Sequence, residues 1–198
     1  MASAFHFWFD FASTYSYVTA MRISPLAETS GLTVRWRPFL LGPIFKAQGW
    51  DNSPFNLYPV KGRYMWRDLA RICDTLDLPF VQPSPFPQNS VTTARVALVG
   101  LRQGWGEDFC RAIFRAEFGE GRDIGEPTTI AATLATLGLD SDAVLEQART
   151  ESIKGALRAQ TEEAQRLGIF GAPSFVTADG ELFWGNDRLE AALSWATR

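Results

Sequence analysis

Apolar residues occupy alternate positions in two segments near the N-terminus, residues 4–9 and residues 32–36. Alternation with a period of two is typical of β-strands, and aromatic residues on both faces of the first segment indicate a strand inside a sheet. Residues 13–31 are long enough for a crossover helix between the strands, so we predict a right-handed βαβ unit. A serine followed by Pro25, the typical start of a helix, predicts that this crossover is broken near Ile23.

A second group of strand signals lies near the C-terminus. Apolar runs at residues 174–177 and 181–184 flank an Asp-Gly turn, which is a strong signal for a β-hairpin. Asn186 and Asp187 follow, and either side chain suits the N-cap of a last helix with one apolar face. This end of the chain therefore predicts a ββα unit.

The middle of the chain, from about residue 62 to about residue 167, has helical instead of strand periodicity. Residues 82–90 contain three prolines and are expected to form an extended connector. A βαβ unit and a ββα unit are the two halves of the thioredoxin fold. We therefore predict an α/β thioredoxin-like fold in three segments: an N-terminal half at 1–61, an all-helical insertion at 62–167 and a C-terminal half at 168–198.

Composition and charge narrow the range of partners. The chain has 198 residues, of which 46% are hydrophobic, and 19 basic against 22 acidic residues give a net charge of −3. This balance provides no field to attract nucleic acid or an anionic membrane. The N-terminus lacks a signal-peptide pattern, and no apolar run reaches the roughly 20 residues that span a bilayer. We expect a cytoplasmic protein that binds neither nucleic acid nor membranes.

Ser13 stands at the predicted start of the first helix, where thioredoxin-like proteins carry a redox Cys-x-x-Cys pair. The chain has no such pair, and its two cysteines, Cys73 and Cys110, are isolated within predicted helices. Buried free thiols without chemistry are expected there. A thioredoxin-like site without thiols suggests a borrowed thiol, whose usual source is glutathione. A helix N-terminus favours an anion, so a thiolate beside Ser13 fits this position.

Ser13 also has plainer interpretations. It can simply be the N-cap of the helix, a role in which serine is common. A serine hydrolase would need a base and a nucleophile elbow, but His6, the only histidine, lies inside a predicted strand, where a core histidine is expected. We therefore reject the hydrolase and keep the N-cap and the thiolate-binding role as alternatives.

Two further segments suit a peptide-like ligand. In a cis-proline loop at Pro173, the backbone of Ala172 would pair with the cysteinyl part of glutathione. A trans proline at an ordinary strand start is the alternative. Asn186 and Asp187 lie beside helix N–H groups, where a carboxylate can meet the charges of the γ-glutamyl end. Capping of the helix is compatible with that role, and we assign no metal ligands.

Several motifs occur together in the order and spacing of a known family. They are residues 10–17, residues 45–49, Asn52, residues 61–65, residues 86–89, residues 170–175 and residues 183–189. With these motifs the chain resembles, over essentially its whole length, the 2-hydroxychromene-2-carboxylate isomerases. These enzymes group with the kappa-class glutathione transferases in the DsbA-like branch of the thioredoxin superfamily. One departure is Thr14, where many relatives have proline, and it warns of a divergent member with another substrate.

The resemblance implies a role for each of nine residues. Ser13 matches the catalytic serine that contacts the glutathione sulfur, and Lys46 matches the residue that contacts the substrate carboxylate. The residues implied to bind glutathione are Ser13, Asn52, Ala172, Pro173, Asn186 and Asp187, and those implied to bind the substrate are Lys46, Lys61 and Asn89. From composition alone, both lysines would be solvated surface charges.

The predicted function is therefore that of a glutathione-dependent isomerase of small aromatic carboxylates. By resemblance, it interconverts 2-hydroxychromene-2-carboxylate and trans-o-hydroxybenzylidenepyruvate and forms a homodimer. The alternatives are a kappa-class-like glutathione transferase or peroxidase and a non-catalytic glutathione-binding module. A disulfide oxidoreductase is disfavoured because the Cys-x-x-Cys pair is absent.

Overall fold

The computed structural model describes residues 4–198. Its strands are β1 (Ala4–Phe9), β2 (Thr33–Pro38), β3 (Ser174–Val176) and β4 (Leu182–Trp184). Its α-helices are α1 (Thr14–Thr29), α2 (Leu41–Ala47), α3 (Pro54–Leu57), α4 (Pro59–Thr75), α5 (Val91–Gln103), α6 (Gly106–Phe114), α7 (Pro127–Thr136), α8 (Ser141–Ala148), α9 (Glu151–Arg166) and α10 (Leu189–Ala196). A π-helical turn spans Arg115–Gly119, and a 3-10 turn spans Asn186–Arg188.

The four strands form one mixed sheet in the order β2-β1-β3-β4. Strand β1 is parallel to β2 and antiparallel to β3, so that Phe7 lies between Trp36 and Phe175 in the ladder. Strands β3 and β4 form the predicted antiparallel hairpin. The βαβ and ββα units therefore join in a single sheet, and the predicted α/β thioredoxin-like fold with a helical insertion is confirmed.

Both faces of β1 are buried, as the aromatic pattern predicts. Phe5, Phe7 and Phe9 have no exposed surface and belong to the main hydrophobic core, whereas Trp8 on the other face belongs to a second, smaller core. The alternation of side chains along a strand places these two sets on opposite faces. The inserted helices share the main core, because the ring of Phe114 lies 5.8 Å from that of Phe9.

The helical segment agrees in outline with the predicted insertion. Helix α4 contains the predicted boundary at residue 62 but begins at Pro59, and helix α9 ends at Arg166, next to the predicted boundary at 167. The division into 1–61, 62–167 and 168–198 stays a prediction, and residues 1–3 of its first segment lie outside the described residues. Within residues 4–198, no helix has the length and apolar character needed to cross a membrane.

The predicted break in the crossover is wrong, since α1 runs without interruption from Thr14 to Thr29 with Pro25 inside it. Ile23 and Ala27 are both almost fully buried, so the packed face of the helix continues past the proline. Proline removes one backbone donor from a helix interior. Burial of apolar side chains on both sides of Pro25 offsets that loss, and a local pattern does not show this tertiary packing.

The predicted N-cap of the last helix is also wrong. Asn186 begins the 3-10 turn, and no side chain caps either that turn or α10, which starts at Leu189. The Asn186 side chain is buried, and its Oδ1 accepts a hydrogen bond of 3.0 Å from the hydroxyl of Thr19 on α1. The side-chain oxygen that was expected to cap the helix therefore accepts a hydrogen bond from a residue 167 positions away in the chain.

Candidate active site

A cleft of about 1680 Å³ opens at the N-terminus of α1. Its walls come from the turn before α1, from α2 and the chain that follows it to α4, from the connector before α5, and from the loops next to β3 and β4. Eight of the nine predicted site residues line it, and these are Ser13, Lys46, Asn52, Lys61, Asn89, Ala172, Asn186 and Asp187. Pro173 is not among the lining residues, and its carbonyl oxygen accepts the N–H of Gly185 at 2.9 Å.

Ser13 is the N-cap of α1, which confirms the plainer of its two interpretations. Its backbone is extended, and its Oγ accepts the N–H of Ser16 at 3.3 Å. The same hydroxyl donates to the carbonyl oxygen of Ala172 at 3.0 Å. No acidic residue occupies the first turn of α1, so no side-chain carboxylate there offsets the positive end of the helix dipole. The position beside Ser13 therefore favours a bound anion.

The peptide bond between Ala172 and Pro173 is cis, as predicted. The Ala172 carbonyl accepts the Ser13 hydroxyl, while the Ala172 N–H has no acceptor anywhere in residues 4–198. Ala172 is half-buried and lines the cleft. An open backbone donor at such a position can pair with the backbone of an extended peptide.

Asn186 and Asp187 differ in what they offer a ligand. The Oδ1 of Asn186 is engaged by Thr19, which leaves only its amide N–H groups free to donate to a ligand. Asp187 is exposed and lies 3.6 Å from the guanidinium of Arg188, an ion pair that is also exposed. Exposed pairs of this kind are weak. Of Asn186 and Asp187, Asp187 is therefore the residue that can bind an ammonium group.

The remaining predicted residues lie on other parts of the cleft wall. The Oδ1 of Asn52 accepts the N–H of Ser53 at 2.7 Å, and the Oδ1 of Asn89 accepts the N–H of Val91 at the start of α5 at 3.1 Å. Both amide oxygens are thus partly engaged within the chain. Lys61 is exposed, and its ammonium lies 5.2 Å from the centroid of the Tyr58 ring.

Lys46 lies in the last turn of α2, is exposed, and pairs with no carboxylate in residues 4–198. Its ammonium is therefore available to an anionic ligand. Phe45 and Trp50 line the same cleft, with ring centroids 5.6 Å apart. A cleft wall with both an ammonium and apolar rings suits a carboxylate attached to an apolar body.

Asp10 is a residue of the site that sequence reasoning missed. It follows β1 and is buried at the base of the cleft, where one oxygen accepts the N–H of Ala12 at 3.1 Å and the hydroxyl of Ser90 at 2.7 Å. The other oxygen accepts the N–H of Leu41 at 2.7 Å. Burial raises the pKa of Asp10, and the three hydrogen bonds oppose that effect. One carboxylate thereby joins the turn before Ser13 to α2 and to the start of α5.

Glu117 is a second buried carboxyl group, and its environment differs from that of Asp10. It is fully buried in the π-helical turn, and within the described residues neither of its carboxyl oxygens has a hydrogen-bond partner. Burial raises its pKa well above the ordinary value, and the charge of Asp10 raises it further. Because three donors contact Asp10 and none contacts Glu117, the neutral form is favoured more strongly at Glu117 than at Asp10.

Tyr15 and Asp68 form a second polar group that the sequence did not indicate. The Tyr15 hydroxyl donates to Asp68 at 2.9 Å, and the other oxygen of Asp68 accepts from Arg71 at 3.0 Å. Burial and the Asp68 carboxylate raise the pKa of Tyr15. Tyr15 therefore stays protonated in the cleft and is unsuited to act as a base.

Neither cysteine lines the cleft, and both are buried and free. Burial raises the pKa of Cys73 to about 11 and that of Cys110 well above its ordinary value. Both thiols are therefore unreactive, as predicted. His6 is half-buried and accepts a hydrogen bond from Arg37 at 3.2 Å, so it is a satisfied structural histidine.

Residues 5–194 match the family described as the DSBA-like thioredoxin domain. The chain belongs to this family. Among curated members, it is 31% identical over 196 residues to a 2-hydroxychromene-2-carboxylate isomerase of Sphingobium xenophagum, with 98% of each chain covered. It is 29% identical to glutathione S-transferase kappa 1 of Homo sapiens, with 92% of this chain and 86% of the relative covered.

A solved structure of a 2-hydroxychromene-2-carboxylate isomerase has a TM-score of 0.86 and 29% sequence identity, with 97% of this chain and 93% of that chain covered. These full-length matches confirm the resemblance inferred from the sequence motifs. They identify the chain as an enzyme of the DSBA-like family that is similar to these isomerases.

Proposed function

We propose that this protein is a glutathione-dependent isomerase of small aromatic carboxylates, which interconverts 2-hydroxychromene-2-carboxylate and trans-o-hydroxybenzylidenepyruvate. One observation carries the proposal. A helix N-terminus and the Ser13 hydroxyl meet the open N–H of Ala172 in a cleft that no cysteine lines. A site built for a thiolate, but without its own thiol, fits a thiol-bearing peptide. Glutathione is the peptide of that kind named in the curated relatives.

The residues present fit the parts of glutathione. Ala172 can pair with the cysteinyl backbone through its N–H, and the carboxylate of Asp187 can meet the γ-glutamyl ammonium. The free amide groups of Asn52 and Asn186 can donate to the carboxylates. When bound, glutathione would supply a thiolate that adds reversibly to the conjugated double bond and so allows that bond to rotate.

Ser13 acts on the sulfur in this proposal. Its hydroxyl has one proton, which is directed at the Ala172 carbonyl, and rotation about the Cβ–Oγ bond redirects that proton to a neighbouring thiolate. The N-terminus of α1 adds a favourable field for the negative charge. Ser13 thus holds the sulfur ionised near neutral pH without itself becoming a nucleophile.

Lys46 binds the carboxylate of the second substrate. It is exposed at the cleft wall and has no ion-pair partner within residues 4–198, and the rings of Phe45 and Trp50 line the same cleft. An ammonium there can form a charge-assisted hydrogen bond with the carboxylate. Lys61 and Asn89 line the same cleft and complete the predicted substrate-binding set.

The kappa-class-like transferase or peroxidase is the second candidate. It is favoured by the 29% identity to a human kappa-class glutathione transferase and by the same thiolate site. The two functions differ in whether the sulfur leaves the substrate again. The third candidate, a glutathione-binding module without turnover, would need no ionised sulfur.

The test is to follow the absorbance of trans-o-hydroxybenzylidenepyruvate with the protein in three conditions: without glutathione, with glutathione, and with S-methylglutathione, which lacks a free thiol. We expect turnover only with glutathione. Turnover of equal rate in all three conditions would overturn the proposal. Conjugation of 1-chloro-2,4-dinitrobenzene without isomerisation would favour the transferase, and calorimetric binding of glutathione without either activity would favour the binding module. Sedimentation velocity tests the predicted homodimer.

A further inference from the structure

Two large aromatic side chains are unusually exposed on one wall of the cleft. Phe170 is 46% exposed and Trp184 is 52% exposed, and both line the cleft. Their ring centroids lie 5.0 Å apart with an angle of 59° between the planes. Together the two rings form a corner, which we call the aromatic corner. Exposed aromatic surface inside a cleft is typical of a contact for an apolar ligand group.

The position of Trp184 is fixed by the backbone around it. Trp184 pairs with Ser174 in the ladder of β3 and β4, and the N–H of the following Gly185 donates to Pro173 at 2.9 Å. A Cβ atom at Gly171 would lie only 2.4 Å from the indole Nε1. The indole therefore lies directly against the main chain of the loop, where only glycine leaves room for it. The ring is held in place rather than left free at the surface.

The aromatic corner lies close to the proposed sulfur position. The carbonyl oxygen of Ala172 is 3.0 Å from the Ser13 hydroxyl, and Phe170 is two residues before Ala172 in the chain. Since consecutive Cα atoms are about 3.8 Å apart, the backbone of Phe170 lies within about 8 Å of that of Ala172. The indole of Trp184 lies against Gly171, the residue just before Ala172, so both rings flank the loop whose carbonyl accepts the Ser13 hydroxyl.

The chemistry of the substrate determines which of its ends lies next to the aromatic corner. In an arylidene pyruvate, the carbon that a thiolate attacks is bonded directly to the aryl ring, whereas the carboxylate is separated from that carbon by two further carbons. The aryl ring must therefore stay next to the sulfur beside Ser13. The carboxylate lies further away, where Lys46 on α2 can receive it.

We propose that Phe170 and Trp184 form the subsite that holds the aryl ring of the second substrate and selects aromatic over aliphatic substrates. This inference rests on the proposed function, because it assumes a substrate with an aryl ring next to the reacting carbon. The two rings would contact one face and one edge of the aryl group, the arrangements that aromatic pairs favour.

The experiment compares two unreactive probes, 2-oxo-4-phenylbutanoate and the aliphatic 2-oxohexanoate, whose binding is measured by calorimetry in the presence of S-methylglutathione. In Trp184→Leu we expect about a 3- to 10-fold loss of affinity for the phenyl probe, because an aromatic contact is lost while apolar bulk is kept. Affinity for the aliphatic probe should not change. Trp184→Phe, which keeps an aromatic ring, should retain most of the preference for the phenyl probe over the aliphatic probe.

Trp195→Leu is the matched control, since Trp195 is another tryptophan of this half of the chain but lies outside the cleft. It should leave both affinities unchanged. Gly171→Ala is a second variant, which displaces the indole without removing it, and it should reproduce the loss for the phenyl probe. Equal losses for both probes in Trp184→Leu, or no loss for either, would overturn the subsite.

Failure of the aryl subsite and failure of the proposed reaction give different experimental results. If the unmodified protein binds the phenyl probe through Trp184 but shows no isomerase turnover, the proposed reaction is wrong and the subsite stands. If turnover is present and Trp184→Leu keeps its full preference for aryl substrates, the subsite is wrong and the proposed reaction stands.

Discussion

The side-chain hydroxyl of Ser13 donates a hydrogen bond of 3.0 Å to the backbone carbonyl oxygen of Ala172, 159 positions further along the chain. The bond joins the start of α1 to the cis-proline loop, so the two edges that would contact glutathione are held together before it binds. A hydroxyl has a single proton. Binding of a thiolate must therefore compete with this bond, and Ser13 couples the sulfur position to the loop.

Ser13→Ala should lose most of its turnover while keeping glutathione affinity within several-fold. In the proposed function, the hydroxyl acts on the thiolate, whereas the peptide-like ends of glutathione supply most of the binding. Removing one donor of this kind typically lowers kcat by roughly 100-fold. Steady-state kinetics and calorimetry on the variant provide the measurement, and an unchanged kcat with an authentic substrate would contradict the assignment.

The control for Ser13→Ala must separate catalysis from helix capping, since Ser13 also accepts the N–H of Ser16. Thr150 caps α9 in the same way, through the N–H of Ile153, and does not line the cleft. Loss of either cap should cost about 1 kcal/mol of unfolding free energy. Thr150→Ala should therefore be destabilised to a similar extent and keep full turnover.

Lys46→Met should lower kcat/KM for a carboxylate substrate by about 10- to 150-fold, which corresponds to about 1.5–3 kcal/mol for a lost charge-assisted contact. Methionine keeps the apolar stem and removes only the ammonium. Glutathione affinity and the rate with a neutral aromatic electrophile should change much less. Lys154→Met, on α9 and outside the cleft, is the control. Equal effects on charged and neutral substrates would make Lys46 a solvated surface residue.

Glu117→Gln should weaken the dependence of stability on pH. Burial raises the pKa of Glu117 above its ordinary value of 4.5, so above about pH 4.5 the folded state binds more protons than the unfolded state until the raised pKa is passed. Stability therefore falls as pH rises through this window, by up to about 1.4 kcal/mol per pH unit. Glutamine cannot ionise and removes this contribution.

Thermal unfolding from about pH 5 to about pH 8 measures this slope. Glu120→Gln is the matched control, because Glu120 directly follows the π-helical turn but is exposed. It should keep the slope of the unmodified protein. A Glu117→Gln variant with an unchanged slope would show that Glu117 is ionised in the folded protein, in conflict with its burial without a partner.

Replacing both Cys73 and Cys110 by alanine should leave glutathione-dependent turnover within a small factor of its original value. Both thiols are buried, and neither lines the cleft. A thiol reagent should label them only after unfolding, because burial raises both pKa values. Loss of turnover in a folded double variant would indicate that the chain uses its own sulfur.

Local patterns predicted the elements whose signals lie within a few residues. The alternation in β1, the Asp-Gly hairpin and the helix start at Ser13 are all of this kind, and the structure contains each of them. The continuation of α1 past Pro25 was not predictable in this way, because it depends on what Ile23 and Ala27 pack against.

In the candidate site too, features with local signals were predicted, and features that depend on tertiary contacts were not. Eight of the predicted site residues line one cleft, but Asp10, although it belongs to the motif of residues 10–17, was assigned no role from the sequence. The partners of Asp10, at Leu41 and Ser90, are 31 and 80 positions away, and only the folded chain brings them together. The capping oxygen of Asn186 was wrongly assigned for the same reason, since Thr19 takes it from a distant helix.

The ring of Phe114, on an inserted helix, lies 5.0 Å from that of Phe11, two residues before Ser13, and 5.8 Å from that of Phe9. This contact limits how the enzyme can be redesigned. Grafting the helical segment of a relative onto this sheet, in order to import another substrate preference, would also replace the ring that packs against the residues before Ser13. Under the proposed function, transplants that keep an aromatic ring at the position of Phe114 should preserve glutathione-dependent turnover, and those that lose the ring should change substrate preference and glutathione dependence together.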